Sequence, residues 1–226
     1  MKKSIALLAA LTLFTACPMI TLPTAHAEAG SYSSVMYQGM RSDDVTQLQQ
    51  DLETLGYYTY PSITGYFGSV TKTAVVAFQT DYGLKADGIV GSRTATEIAH
   101  ALVKKEIVDD TYNYLNIPYL WGGSDPSTGF DCSGFIYYLF TEHDVVMDRT
   151  TSTGLYQMGK EIGKDQLRPG DLVFFSIERT SNVSHVGIYT GNGKFISPLS
   201  SKGVYVQSMV NNSYWTPRYL GARRIY

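Results

Sequence analysis

The apolar positions of the chain change rhythm once. Up to about residue 103 they recur at helical spacing. Val45, Leu48, Leu52 and Leu55 share one face behind Ser42, a residue suited to cap a helix, and Gly56 follows as a stop. The stretches "GYFGSVT" (65–71) and "GIVGSRT" (88–94) repeat one pattern. In each, a glycine turn leads to a serine placed to accept bonds from the exposed amides of a new helix. The helix after Ser69 is predicted to bury Val70, Ala74, Ala77 and Phe78 and to end at Gly83. The helix after Ser92 is predicted to bury Ala95, Ile98 and Leu102. Residues 35–103 therefore read as a small three-helix bundle.

From residue 104 the texture differs. "KKEIVDDTYNYL" reads as a helix that Pro118 would stop. "WGGSDPSTG" is a loop rich in glycine, and "CSGFIYYLFTE" is a helix turning Phe135, Ile136, Leu139 and Phe140 to a core. Strand patterns follow. "RPGDLVFFSI" leaves a proline-glycine turn, and "SHVGIYTGNGKFISP" makes a hairpin about Gly191, Asn192 and Gly193. "GVYVQSM" and "GARRIY" are further strands. A helix followed by antiparallel strands gives the fold class α+β for residues 104–226. No glycine- or serine-rich linker divides the two blocks, which favours their packing together.

The first residues are a targeting pattern. Lys2 and Lys3 precede "SIALLAALTLFTA", an apolar run of about 13 residues, short of the ~18 that a membrane-spanning helix needs. "AHA" (Ala25, His26, Ala27) is a small-x-small cleavage site, so residues 1–27 are predicted to be a signal peptide. The competing reading is a lipid anchor on Cys17 in "LFTAC". Both imply export. The formal net charge of -2 and the lack of a long basic run give no case for nucleic acid, and a monomer without a stable membrane span is expected. Most of the 18 tyrosines are expected to serve strand and core packing.

Cys132 is then an unpaired cysteine in an exported chain, which asks for a reason. A thiol at its reference pKa is only a few per cent thiolate near neutrality. Asp131 is a good helix cap that would place Cys132 in a first turn, where backbone amides and the helix dipole favour an anion. The amide of Cys132 is a natural oxyanion donor there. Gly134 would leave room for a substrate carbonyl. A histidine would complete the pair. His100 belongs to the bundle, and His143 in "TEH" reads as a solvated helix end. His185 opens the apolar strand "HVGIY" and alone sits on a rigid element able to pass a helix N-terminus. On these residues alone a structural and a catalytic reading both stand. No cofactor or metal is implied: no cysteine-histidine cluster has zinc spacing, and "TDYGLKADGIVG" does not match a calcium loop.

Two resemblances add to this. "GMRSDDVTQLQQDLETLGYY", "TGYFGSVTKTAVVAFQTDYGL" and "DGIVGSRT" resemble the peptidoglycan-binding domain of bacterial wall hydrolases, which implies a non-catalytic wall anchor over 35–103. "IPYLWGG", "FDCSGF", "DRTTS", "RPGDLVFF" and "SHVGIYTGNGKFI" resemble the NlpC-type cell-wall endopeptidases, papain-like cysteine peptidases, over 104–226. That resemblance implies Cys132 as nucleophile, His185 as general base and acid, and cleavage of the stem peptide between D-γ-glutamate and the diamino acid. It also implies a substrate site lined by Tyr119, Asp131, Ser133, Arg149 and either Thr150 or Thr151. Simple capping for Asp131 and a surface ion pair for Arg149 are the plainer roles.

The chain departs from the family pattern once. The third polar residue, usually histidine, falls on Ser197, which is shorter and is followed by Pro198. Ser197 then orients His185, or another residue substitutes, or the protein binds wall with a weak or inactive site. An amidase or acyltransferase on the same scaffold is a further alternative.

Overall fold

A computed structural model describes residues 32–226. The predicted signal peptide and Cys17 lie outside the described residues. Helix α1 (Asp43–Thr54) starts where predicted, with the Ser42 side chain accepting the Val45 amide and Val45, Leu48 and Leu52 buried. Helices α2 (Ser69–Asp81) and α3 (Ser92–Asp110) follow.

Neither Ser69 nor Ser92 is a cap. Gly68 and Gly91 hold the N-cap positions without a side-chain bond, and each serine is the first helical residue. The buried stripe of α2 is also turned from the predicted one. Thr71, Ala74, Val75 and Phe78 face inward, whereas Val70 is 42% exposed and Ala77 is exposed. Two buried glutamines cause this. Gln49 Nε2 donates to Thr71 Oγ1 (2.8 Å) and the Tyr66 carbonyl, while its Oε1 accepts the Thr64 and Gly65 amides. Gln79 does the same one unit on: its Nε2 donates to Thr94 Oγ1 (3.2 Å) and the Ile89 carbonyl, and its Oε1 accepts the Gly88 amide. The repeated "GxxGSxT" pattern thus exists to present a buried threonine and a glycine turn to a glutamine, because buried amides must find partners.

Helix α3 runs for 19 residues through positions 103 and 104. Ile98, Ala101 and Leu102 belong to the core of the first block, and Val103, Ile107 and Val108 to the core of the second. One rigid helix therefore joins the blocks. A second link is Arg168, whose guanidinium lies 4.1 Å over the Tyr82 ring and donates to the Asp81 carbonyl. A 3-10 turn (Thr111–Tyr114) ends the helical run ahead of Pro118.

The second block is α+β. The predicted loop after Trp121 contains a small hairpin, β1 (Ser124–Asp125) and β2 (Gly129–Phe130). Helix α4 (Cys132–Glu142) and the short α5 (Ser152–Tyr156) precede six strands: β3 (Lys160–Ile162), β4 (Leu172–Phe175), β5 (His185–Gly191), β6 (Lys194–Leu199), β7 (Gly203–Ser208) and β8 (Tyr219–Arg224). They form one antiparallel sheet in the order β3-β8-β4-β5-β6-β7. Asn192 (φ 53°) and Gly193 (φ 68°) make the β5–β6 turn with both residues left-handed, the conformation that an Asn-Gly pair favours. One sheet face buries Phe174, Val186, Ile188 and Ile196 against α3, α4 and α5. The other buries Val173, Phe175, Phe195 and Trp215. Among the described residues no helix is long and apolar enough to cross a membrane.

Candidate active site

Cys132 is the first residue of α4 and is a free thiol. The local sequence fixes that start. Asp131 is extended, and its Oδ1 accepts the Gly134 amide at 2.6 Å. A Cβ on Gly134 would stand 1.9 Å from the Gly123 carbonyl oxygen, so the glycine exists to let the loop of residues 121–123 close on the helix. That corrects the expectation that Gly134 opens the site to substrate: the space is filled by backbone. The Gly123 carbonyl in turn accepts the Asp131 amide.

Arg149 is locked onto the same cap. Its Nη2 donates to both oxygens of Asp131 (2.8 Å each) and its Nη1 to Ser133 Oγ (2.8 Å). Asp131 also accepts from the Gly122 amide and the Ser133 hydroxyl. A carboxylate with this many donors is a structural anchor as well as part of the cleft wall. The plainer roles of Asp131 and Arg149 are thus present in the fold.

His185 opens β5 and is buried, at 6% exposed. Its ring lies against Trp215 with centroids 5.3 Å apart and planes at 26°, and Phe175 flanks it at 6.4 Å. His185 Nε2 and Ser197 Oγ are 2.8 Å apart. Ser197 is fully buried on β6, and a second side chain reaches it: the Gln207 amide, from β7, at 3.1 Å. Nδ1 is then the ring nitrogen left for the thiol. The sulfur faces the start of β5, for the Val186 amide bonds to its anionic form, with the amides of Ser133 and Cys132 adding to that pull.

Burial dominates the electrostatics. It raises the Cys132 thiol to about 11, against the amides and assisted by the Asp131 charge. The expectation that the helix start yields a thiolate is therefore corrected: the amides act in the predicted direction and desolvation outweighs them. Burial also lowers His185 to about 4. At neutral pH the resting pair is thiol and neutral imidazole. Tyr119 is raised too, by burial first and then by the charges of Cys132 and Asp131.

Cys132 and His185 open onto one cleft of about 800 Å³, which Tyr119, Asp131, Ser133 and Arg149 also line. Thr151 lines it and caps α5, whereas Thr150 does not line it. Trp121 stands at the rim, 86% exposed. The other histidines among the described residues are elsewhere. His100 packs on Tyr226 in the first block's last helix. His143 is no solvated end: its side chain is 12% exposed and pairs with Asp110 at 3.3 Å, tying α4 to α3. Trp215 and Gln207 were not evident from sequence.

Two family models match the chain. The model of the "NlpC/P60 family" matches residues 116–224, and that of the "Putative peptidoglycan binding domain" matches residues 41–98. The murein DD-endopeptidase MepH of Escherichia coli is 41% identical over 48% of this chain and 41% of its own length. The gamma-DL-glutamyl hydrolase of Bacillus subtilis is 36% identical over 61% of this chain and 34% of its own length. The probable endopeptidase NlpC of Escherichia coli is 40% identical over 52% of this chain and 75% of its own length. The chain thus spans 41% and 34% of the first two of these relatives.

Proposed function

The chain belongs to the NlpC/P60 family, and on that premise we propose that it is a cysteine peptidase that hydrolyses the stem peptides of peptidoglycan. The observation that carries the proposal is the shared cleft of Cys132 and His185, with the sulfur at a helix start and the ring held from behind by Ser197. In this reading the first block, residues 35–103, holds the exported protein on the wall and the second, residues 104–226, cuts.

The reaction is acyl transfer. The Cys132 thiol gives its proton to His185 Nδ1 as the sulfur adds to the substrate carbonyl. The carbonyl oxygen, now negative, is received by the amide of Cys132, an arrangement worth several kcal/mol in a dry site. The imidazolium then protonates the leaving amine as the carbon–nitrogen bond breaks, and an acyl-enzyme remains. Water, giving a proton to His185, releases the acid and returns the thiol. A neutral resting pair suits this order, because the proton moves only when the carbonyl is in place.

The bond is proposed to be that between D-γ-glutamate and the diamino acid. The motif resemblance supports it, as does the name of the Bacillus subtilis relative, while the name of MepH attaches to a DD bond. Digestion of purified peptidoglycan, with fragments weighed by mass spectrometry, separates the cases. A new amino terminus on the diamino acid, absent with Cys132→Ala, is the expected result. Cleavage at a DD crosslink or at the muramoyl–alanine bond would replace this bond assignment. Binding without fragments would leave the protein as a wall-binding module.

A further inference from the structure

Ser197 is one proton short of doing two jobs, and its surroundings decide which job it does. The hydroxyl carries a single hydrogen and accepts through two lone pairs. It is fully buried and meets two side chains, His185 Nε2 at 2.8 Å and the Gln207 amide at 3.1 Å. The proposed reaction needs one tautomer of His185, with the hydrogen on Nε2 and the lone pair of Nδ1 turned to the thiol.

Two hydrogen-bond schemes satisfy all three groups. In the first, the Gln207 nitrogen donates to Ser197, whose hydroxyl then donates to His185 Nε2. The ring hydrogen is driven to Nδ1, where it blocks transfer from Cys132. In the second, the Gln207 carbonyl accepts the Ser197 hydroxyl, and Ser197 accepts the Nε2 hydrogen of His185. The lone pair then faces the thiol, and the imidazolium formed in the reaction keeps the same bond. The schemes differ by a half turn of one amide, whose nitrogen and oxygen occupy equivalent positions. The structure has the nitrogen toward Ser197 at 3.1 Å, the amide orientation of the first scheme, and leaves the direction of the 2.8 Å bond to His185 open.

We propose that Gln207 is the positioning residue that sets the tautomer of His185 through Ser197, and that the reactive arrangement has its carbonyl on the serine. A Ser197–Gln207 relay then stands where one longer side chain would reach the ring directly. It explains how a serine serves at that place. Alone, it can give its hydrogen to the ring as readily as it can accept one; with a carbonyl behind it, it can only accept. Gln207 is 8% exposed and lines the cleft, so its amide is partly shielded yet adjoins the substrate space. The relay rests on the hydrolase reading for its purpose and not for its geometry.

The test reads the ring nitrogens of His185 by ¹⁵N NMR in the whole protein, beside kcat and KM on a stem peptide. Wild type is expected to carry its hydrogen on Nε2 at neutral pH. Gln207→Leu is expected to move it wholly or partly to Nδ1 and to lower kcat ~100-fold with KM unchanged, within the range a misplaced general base costs. Gln207→Glu, which can only accept, is expected to keep the Nε2 tautomer and raise the pH at which His185 titrates. It also guards against a Leu variant that merely misfolds. Gln207→Leu added to Ser197→Ala is expected to change nothing further. An unchanged tautomer in Gln207→Leu, or an Nδ1 hydrogen in wild type, overturns the relay. If wild type and Cys132→Ala release the same products, the hydrolase reading fails, while the ring measurement, which needs no substrate, still decides the relay.

Discussion

The Trp215 indole covers the His185 imidazole, with ring centroids 5.3 Å apart and planes at 26°. This contact is a large part of why His185 is buried and why its pKa lies near 4. Replacing the indole by a smaller side chain admits water. Trp215→Leu is expected to bring His185 back toward 6.5 and to move the acid limb of kcat/KM to higher pH by the same amount. An NMR titration of the His185 ring checks the first shift, and the pH–rate profile the second.

The same burial sets a window of stability. His185 is held near 4 when folded against 6.5 unfolded, so its contribution is fully present above 6.5 and is lost as pH falls toward 4. Its size is ~3 kcal/mol. Cys132 is held near 11 against 9, so its contribution is full below 9 and is lost as pH rises toward 11. Urea midpoints should fall as pH drops from 6.5 toward 4, and wild type should lose stability relative to Cys132→Ala as pH rises from 9 toward 11. Subtracting the profile of His185→Asn should flatten the acid side.

Arg149 and Asp131 act as one unit with the start of α4. Nη1 and Nη2 bond Ser133 and Asp131 together, a fork that a lysine ammonium cannot reproduce. Arg149→Lys is expected to cost ~1–2 kcal/mol in urea unfolding, since it leaves part-buried acceptors short of donors. It should also lower kcat by loosening Cys132. Equal stability with an intact kcat would show that the cap on Gly134 suffices alone.

In the first block, Gln79 satisfies the Gly88 amide, the Ile89 carbonyl and the Thr94 hydroxyl. Gln79→Leu strands these groups at ~1–3 kcal/mol apiece where they stay buried. Hydrogen exchange should show faster opening of the segment from α2 to the start of α3. The β4–β6 ladder should keep its protection, since its core is separate.

What the chain discloses in advance follows the range of the interactions. Ser42, Asp131 and the Asn192–Gly193 turn act on neighbours within a few residues, and their roles follow from spacing. Ser69 and Ser92 misled because the same serine suits the N-cap or the next position. The distant Gln49 and Gln79 decide by claiming Thr71 and Thr94. Strand β3 has three residues and no pattern of its own; pairing with β8 makes it. Cys132, His185 and Ser197 could be picked out in sequence, two of them by chemical type. Trp215 reaches the ring, and Gln207 reaches Ser197 behind it, from later strands and loops, and only the folded sheet brings them there. The thiol's raised pKa was equally hidden, because desolvation depends on every element packed around it.

The central claim is that Cys132 is acylated during turnover. Acid-quenching the enzyme with a γ-glutamyl stem peptide in its steady state, then weighing the intact protein and its Cys132-containing fragment, tests it most directly. The account predicts an adduct equal in mass to the released acid product less water, located on Cys132 and absent in Cys132→Ala. Products released with no adduct, and undiminished in Cys132→Ala, would contradict it.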